Sequence, residues 1–138
     1  MLKKSPSGSL CPYYYKGGEL HPLHYGSYHD NLIELTNIMA AEEKFILSSA
    51  GNRNRRIWVD LYETNLTEDM IGKLAQHIAG ISIKTSKIAF VGCSKRTLKK
   101  VNKYLEKLKC RFAGQIRLFS DPELAKSWLV SETQSLSL

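Results

Sequence analysis

Three short apolar runs, separated by amphipathic segments, constrain the fold of this chain most strongly. The runs 57–62, 87–92 and 115–119 have the length and composition of buried strands. Between them, segments 67–78 and 94–108 place apolar side chains at three- and four-residue steps, as helices do. Strands that alternate with helices pair in parallel through right-handed crossovers. The pattern therefore predicts an α/β domain built on a mainly parallel sheet.

The N-terminal third predicts a hairpin followed by a helix. A Gly-Gly pair separates Tyr13–Tyr15 from the β-leaning run 20–25, and glycine accepts the positive φ that tight hairpins need. Pro22 restricts the second run to an edge strand or an irregular one, because proline cannot donate to a ladder. Segment 28–49 then has the apolar spacing of an amphipathic helix.

Polar residues mark the predicted helix ends. Asp30, Thr67 and Ser94 stand where N-caps belong, and 120–123 begins the last helix with a cap, a proline and an acid. Gly51 stands just past the end of the first helix, where a left-handed residue is favoured.

The order of elements is β-β-α-β-α-β-α-β-α, with the hairpin first. A chain of 138 residues is long enough for one real core. No linker or internal repeat divides it, so we predict a single domain over 12–132. Residues 1–11 and 133–138 are predicted to be flexible tails with little to pack.

Charge and cysteine content narrow the class of protein. The formal charge of +7 and the pI near 9.4 permit an acidic partner, a nucleic acid or an anionic membrane surface. Cys11, Cys93 and Cys110 are odd in number and form no CxxC pair, which favours reduced thiols. No apolar run reaches the roughly 18 residues of a spanning helix, and the N-terminus lacks a signal-peptide pattern. We therefore expect a soluble cytoplasmic protein.

The strand and helix sequences also resemble a known family. Ile57-Trp-Val-Asp-Leu, a helix, Lys87-Ile-Ala-Phe-Val-Gly, a second helix and Ile116-Arg-Leu-Phe-Ser-Asp-Pro-Glu-Leu-Ala-Lys-Ser-Trp-Leu look like the STAS-like group. That group is related to the anti-sigma-factor antagonists and shares the SpoIIAA-like fold. The similarity covers roughly 13–131. It implies a SpoIIAA-like sheet and a non-catalytic regulatory or binding role in bacteria.

The resemblance does not extend to the phosphorylation motif of the antagonists. Those proteins carry Asp-Ser-Ser/Thr-Gly at the start of the helix after the Val-Asp-Leu-type strand. Counted without gaps from Asp60, those positions fall near 68–71, where there is no hydroxyl. Thr67 is the nearest hydroxyl, and Thr64 is further upstream. A phosphorylation switch therefore does not follow from the resemblance.

The candidate site lies where the predicted strands end. Ligands of open α/β sheets collect at the carboxyl ends of the strands. At this edge we expect loops 63–68 and 92–96 to bind a protein partner or a small ligand. Free N–H groups, the helix dipole and two cations would make an anion cradle after Gly92, although Gly92 and Ser94 equally suit a strand end and an N-cap. The candidate binding residues are Asp60, Thr64, Thr67, Cys93, Ser94, Lys95 and Arg96.

An enzyme would have to use Cys93 or Asp60. A thiol at a helix N-terminus can have a lowered pKa, and a carboxylate in an apolar strand is costly unless it is paired. Asp60 could equally cap a neighbouring loop. No Ser-His-Asp set, carboxylate pair or Gly-rich cofactor motif accompanies them. We therefore predict a protein that is not an enzyme and has no cofactor.

A basic helix over 95–111 provides an alternative function. Nine cations lie between residues 95 and 117 against the single acid Glu106. A cationic face can bind polyanions or nucleic acid through counterion release, but no base-stacking aromatic set accompanies it, and a solvated helix face is the other interpretation. The predicted basic face comprises Lys99, Lys100, Lys103 and Lys107, together with Arg96.

Three histidines form a metal-like group. His21, His24 and His29 are close in sequence, with Asp30 beside them. Three imidazoles can complete a zinc triad. Pro22 interrupts the segment and no matching cysteine or glutamate set supports it, so we predict no metal site.

Overall fold

A mostly parallel five-stranded sheet forms the centre of the molecule. The computed structural model describes residues 3–48, 54–110 and 115–131. A 3-10 helix, Ser82–Lys84, follows the second α-helix. The strands are β1 (Lys3–Lys4), β2 (Leu10–Cys11), β3 (Tyr13–Tyr15), β4 (Gly18–His24), β5 (Arg55–Asp60), β6 (Thr85–Val91) and β7 (Gln115–Phe119). The helices are α1 (Leu32–Ser48), α2 (Glu68–Ile81), α3 (Lys95–Lys107) and α4 (Pro122–Val130).

The order of the sheet follows the order of the chain. It is β3-β4-β5-β6-β7, with β4 to β7 parallel and β3 antiparallel to β4. Adjacent parallel strands joined by right-handed crossovers place α1, α2 and α3 on one face. The fourth helix packs against the other face. The predicted α/β class, with a mainly parallel sheet and an antiparallel hairpin, is confirmed.

The predicted hairpin joins β3 to β4. Tyr15 pairs with Gly18, so Lys16 and Gly17 form a two-residue turn. Their φ angles are 47° and 83°, as the primed turns of tight hairpins require.

Pro22 lies in an interior strand, but at a part of it with edge-like surroundings, which fits the prediction of an edge or irregular strand. β4 has β3 on one side and β5 on the other, but β3 reaches only as far as Leu20. Beyond that point the Pro22 carbonyl accepts from Ser9 Oγ at 2.8 Å, and the His24 N–H donates to Ser7 Oγ at 3.1 Å. The N–H and C=O of one strand residue point to the same side, so the nitrogen of Pro22 faces away from β5. Proline is tolerated because β3 does not pair with this part of β4, so the missing N–H of Pro22 costs no hydrogen bond between strands.

A buried carboxylate holds the small β1–β2 sheet against the domain. Glu42 on α1 is fully buried, and its Oε2 accepts from Ser5 Oγ and Ser7 N, both at 2.8 Å, and from the Ser7 hydroxyl. Its Oε1 lies 3.1 Å from His21 Nε2. Residues 3–11 therefore pack more than the sequence predicts. They do so through polar contacts, which a hydrophobic pattern does not signal.

The larger core lies between the sheet and the first three helices. The predicted buried face of α2 is confirmed, since Ile71, Leu74, Ala75 and Ile78 are all buried. The predicted stripe of α3 is confirmed at Leu98, Val101 and Leu105, which are buried or packed on this core. It is wrong at Leu108, which is exposed because the helix has ended at Lys107.

The smaller core lies under α4. Ala125 and Leu129 pack against a layer of sheet residues. Leu124 is exposed, because it lies on the outer side of the helix. The sheet residues of this core are Leu20, Trp58, Ala89 and Val91.

A buried lysine caps the C-terminus of α4. Lys87 on β6 donates from Nζ to the carbonyls of Trp128 and Ser131 at 2.9 Å and of Leu129 at 3.3 Å. A cation is favourable among the unpaired carbonyls at a helix C-terminus. These hydrogen bonds explain a charge within an otherwise apolar strand.

Some boundaries differ from the sequence expectation. Arg55 and Arg56, which precede the predicted strand run 57–62, pair with β6, so β5 begins earlier than predicted and ends at Asp60. The first helix begins at Leu32, and Asn31 rather than Asp30 accepts from the N–H of Glu34. Gly51 and the tail 133–138 lie outside the described residues.

The Glu42 anchor provides a stability prediction. Burial alone raises the pKa of Glu42, but hydrogen bonds from His21 and Ser7 outweigh it and hold that pKa below 4.5. We expect Glu42→Gln to lower the free energy of unfolding by about 2 kcal/mol at pH 7, because an amide mismatches these donors. The carboxylate's contribution is complete above the unfolded pKa and is lost as pH falls through the lower folded value. Urea unfolding at several pH values measures this.

The exposed Glu106→Gln change on α3 is the matched control, with an expected effect within about 0.5 kcal/mol. The difference between Glu42→Gln and the natural sequence should shrink at acidic pH. Equal urea midpoints for all three proteins at pH 7 would contradict the assigned anchor.

Candidate functional site: the carboxyl edge of the sheet

Two loops continue the parallel pairing of β4 and β5 beyond the strands. We define the edge loops as residues 25–31 and 61–65. The N–H groups of Ser27 and His29 donate to the carbonyls of Tyr62 and Glu63 at 2.6 and 2.9 Å. The Asn65 N–H donates in the opposite direction, to the His29 carbonyl, at 2.8 Å. The two edge loops are therefore joined by backbone hydrogen bonds into one continuous edge.

Three residues with left-handed backbone conformation set the course of these loops. Ser27, His29 and Glu63 have φ between 51° and 64°, which costs energy for residues other than glycine. The hydrogen bonds between the loops hold these conformations in place.

Tyr25 anchors the first edge loop in the core. Its side chain is fully buried, and its hydroxyl lies 2.8 Å from Nε2 of His77. His77 Nδ1 lies 3.0 Å from the Glu43 carboxylate. Burial lowers the pKa of His77 even though Glu43 opposes this, and a neutral ring satisfies both contacts by donating to Glu43 and accepting from Tyr25. The three side chains support the edge loops from below, with Tyr25 and His77 buried and Glu43 partly exposed.

The two candidate threonines are used within the structure. Thr64 Oγ1 donates to the Tyr25 carbonyl at 2.6 Å and accepts from the Tyr28 N–H at 3.2 Å, which ties the edge loops together. Thr67 is the N-cap of α2, as predicted, and accepts from the Met70 N–H. Both hydroxyls therefore have structural roles.

Asp60 supports the neighbouring loop. Its Oδ1 accepts from the Tyr62 N–H at 3.0 Å, and its Oδ2 lies 3.9 Å from His24 Nδ1. Gly26 passes so close that a Cβ there would lie 2.6 Å from Oδ1. These contacts match the loop-capping interpretation of Asp60 and explain a carboxylate at the end of an apolar strand.

The turn after β6 is also shaped by close packing. Gly92 has φ +83°, and a Cβ there would lie 2.5 Å from the Tyr62 nitrogen. Ser94 caps α3, as predicted, by accepting from the Thr97 N–H at 3.1 Å. The next residues, Lys95 and Arg96, are exposed. Lys95 and Arg96 are therefore the members of the predicted anion cradle that are exposed to solvent.

Cys93 does not have the lowered pKa expected at a helix N-terminus. The side chain is partly buried, and burial raises the pKa of its thiol to about 11. Desolvation of the thiolate therefore outweighs the helix dipole. At neutral pH the sulfur is a protonated, weakly nucleophilic group.

Charge divides this edge into an acidic and a basic part. Segments 25–34 and 60–69 contain six carboxylates and no lysine or arginine. The exposed cations at the start of α3, Lys95 and Arg96, lie three and four residues after Gly92. Tyr62, 40% exposed, lies at the boundary because it precedes Glu63 and contacts Gly92. The carboxylates are those of Asp30, Glu34, Asp60, Glu63, Glu68 and Asp69.

One ion pair connects the two parts. Lys100 Nζ lies 2.8 Å from Glu68 Oε1, and the Tyr104 hydroxyl donates to Glu68 Oε2 at 3.1 Å. Hydrogen bonds from Lys100 and Tyr104 lower the pKa of Glu68. The remaining predicted members of the basic face, Lys99, Lys103 and Lys107, are exposed.

The three N-terminal histidines have different surroundings. His21 is buried beside Glu42, His24 lies near Asp60, and His29 is exposed on an edge loop. Within the parts of the chain that the structure describes, no group of three or more His, Cys, Asp or Glu side chains is arranged to hold a metal ion. Within these same parts, no helix has the length and apolar character needed to cross a bilayer.

Comparisons with protein-family models, with curated proteins and with solved structures found no match.

The sequence patterns did not reveal Tyr62 or the acidic part of the edge as functional candidates. Tyr62 was assigned to a buried strand because it ends an apolar run, whereas β5 stops at Asp60. The absence of lysine and arginine from two separate segments was a usable signal. It becomes meaningful only when parallel pairing places those segments side by side.

The raised pKa of Cys93 gives a reactivity prediction. Its alkylation by iodoacetamide at pH 7 should be slower than that of free cysteine, because the thiolate fraction is smaller and the sulfur is partly buried. Mass spectrometry of the peptide containing Cys93 measures the rate. The urea-unfolded protein is the control and should react at the rate of free cysteine. A folded-state rate above that of free cysteine would restore Cys93 as a nucleophile.

Proposed function

We propose that the chain is a non-catalytic binding domain of the STAS-like type, and that a protein partner contacts the carboxyl edge. The observation that carries this proposal is the divided charge of an edge whose loops are joined by backbone hydrogen bonds, with an exposed tyrosine at the boundary between its two parts. The sequence resemblance over 13–131 and the mainly parallel sheet with its hairpin support the STAS-like assignment.

The chemistry of the edge favours binding over catalysis. The hydroxyls of Thr64 and Thr67 are engaged by the backbone, and the Asp60 carboxylate accepts from a backbone N–H. Cys93 is held protonated by burial. An activated nucleophile needs an adjacent base or a lowered pKa, and the candidate residues offer neither.

The shape of the edge favours a protein over a small ligand. The depressions beside the edge loops are open to solvent and are lined by polar residues such as His29 and Asn65. Small-molecule sites are concave, mostly apolar and bury most of their ligand. A broad protein surface suits this edge better.

Divided charge gives a protein interface its orientation. Complementary potentials steer encounter and disfavour wrong registers. An exposed tyrosine near the centre of such a surface is a typical energetic anchor. We therefore propose a partner whose surface has a basic patch opposite Glu63 and an acidic patch opposite Lys95, with Tyr62 contacting it between them.

The test is affinity purification of the tagged chain from its native cells, with nuclease treatment, followed by affinity measurement on the captured partner. Tyr62→Ala and Lys95→Glu should each weaken binding about tenfold or more, because they remove the aromatic anchor and reverse one charge. Lys44→Glu, on the exposed side of α1, is the matched control and should bind normally.

Circular dichroism should show the same fold for all these proteins, because each substituted side chain is exposed. If the partner binds the two edge variants as tightly as it binds the Lys44→Glu control, the carboxyl edge is not the contact surface.

A further inference from the structure

The exposed side of α3 forms a second surface that the proposed protein contact does not require. Its 13 residues contain six cations and one acid. At about 100° per residue, the six cations fall within an arc of about 140° around the helix axis. Val101 and Leu105, which face the core, lie on the other side. The acid, Glu106, lies about 20° from Lys95 on the same scale and therefore within that arc, so the helix presents a mainly positive surface that contains one carboxylate.

Four of these cations form what we call the basic stripe. They follow one another at steps of three and four residues, which keeps them on one side of the helix. All four are exposed. The basic stripe consists of Arg96, Lys99, Lys103 and Lys107.

Little negative charge offsets the stripe. Among the described residues, the nearby carboxylate of Glu68 pairs with Lys100, which is not a member of the stripe, and of the stripe cations its charge acts on Arg96. Glu106 is the one acid of α3. The stripe therefore carries much of the formal charge of +7 on one side of the molecule.

The geometry of the stripe suits a row of phosphates. From Arg96 to Lys107 the helix rises about 16 Å, at 1.5 Å per residue. A duplex places one phosphate per strand every 3.4 Å of axis, so a stripe of about 16 Å spans several phosphates. Lysine and arginine side chains that lie in such a row would displace the condensed counterions of the duplex.

The surroundings of the stripe favour a duplex over a single strand. Single-strand binding depends on exposed aromatic rings on which bases stack. The one aromatic residue of α3 is Tyr104, which is half-buried with its hydroxyl bonded to Glu68. A duplex keeps its bases stacked internally and needs only the cations.

The surroundings also favour nucleic acid over a membrane. Helices that lie on bilayers insert an exposed apolar face. Every apolar side chain of α3 is buried or packed against the core. The stripe can therefore attract an anionic bilayer electrostatically, but α3 presents no apolar face that could insert into it.

We propose that the basic stripe of α3 binds the phosphate backbone of double-stranded nucleic acid without sequence preference. This binding is separate from the protein contact at Tyr62 and Lys95. The two surfaces meet at Arg96, which is also one of the exposed cations at the start of α3.

Fluorescence anisotropy with a short labelled DNA duplex tests this proposal. With four phosphates neutralised, the logarithm of affinity should fall against the logarithm of salt concentration with a slope of about −3.6 between about 50 and 200 mM salt. Lys99→Glu combined with Lys103→Glu should reduce affinity at low salt at least tenfold. It should also make the slope shallower by about 2.

The matched control is Lys4→Glu combined with Lys44→Glu. Both double variants lower the formal charge of +7 by four, but Lys4 and Lys44 are exposed away from α3. The control should keep most of the affinity and the natural salt slope. Lys99→Gln combined with Lys103→Gln provides a milder stripe variant should charge reversal disturb folding, and it should also lose affinity.

Three results would overturn the proposal. One is the absence of duplex binding at low salt. Another is an equal loss of affinity in the stripe variant and the control, which would indicate general charge attraction. The last is stripe-dependent binding to phosphatidylserine vesicles with no binding to the duplex, which would assign the stripe to a membrane surface. Because Tyr62 and Lys95 are unchanged in every variant, the outcome is independent of the proposed protein contact.

Discussion

The parallel pairing of β4 with β5 is the interaction on which the rest of this structure depends. It aligns His21 to His24 with Ile57 to Asp60 and places the loops that follow both strands next to each other. Those loops then continue the pairing through backbone hydrogen bonds. Acidic residues from two distant segments thereby share one surface. The turn at Gly92 brings the basic start of α3 alongside them.

Buried polar groups determine how the outer elements attach to this frame. Glu42 holds the β1–β2 sheet, Lys87 closes the end of α4, and His77 supports Tyr25 beneath the edge loops. A buried polar or charged group is costly unless hydrogen bonds satisfy it, so each of these groups accepts only a narrow set of partners. Apolar packing supplies much of the stability. The polar contacts select which segment docks where.

The sequence predicted the parts of the fold that depend on periodicity and local capping. The α2 face of Ile71 and Leu74, the caps at Thr67 and Ser94, and the hairpin at Gly17 are confirmed because neighbours in sequence determine them. The packing of residues 3–11 was not predicted, because it depends on Glu42, more than thirty residues away.

The candidate site was predicted less completely than the fold. The exposed cations at Lys95, Arg96 and along α3 follow from the helical pattern alone. The raised pKa of Cys93 could not be predicted, since it depends on burial by other elements. The role of Thr64 between the edge loops depends on a pairing that no local pattern encodes.

The proposed interface depends on a rigid carboxyl edge, because both parts of the divided charge can meet a partner together only if they hold their positions. Amide hydrogen exchange of the isolated protein measures this directly. We predict that the N–H groups of Ser27, His29 and Asn65 exchange slowly, like those within β4 and β5, because each is bonded across the edge loops. Exchange as fast as that of the exposed Lys16-Gly17 turn would contradict a rigid edge.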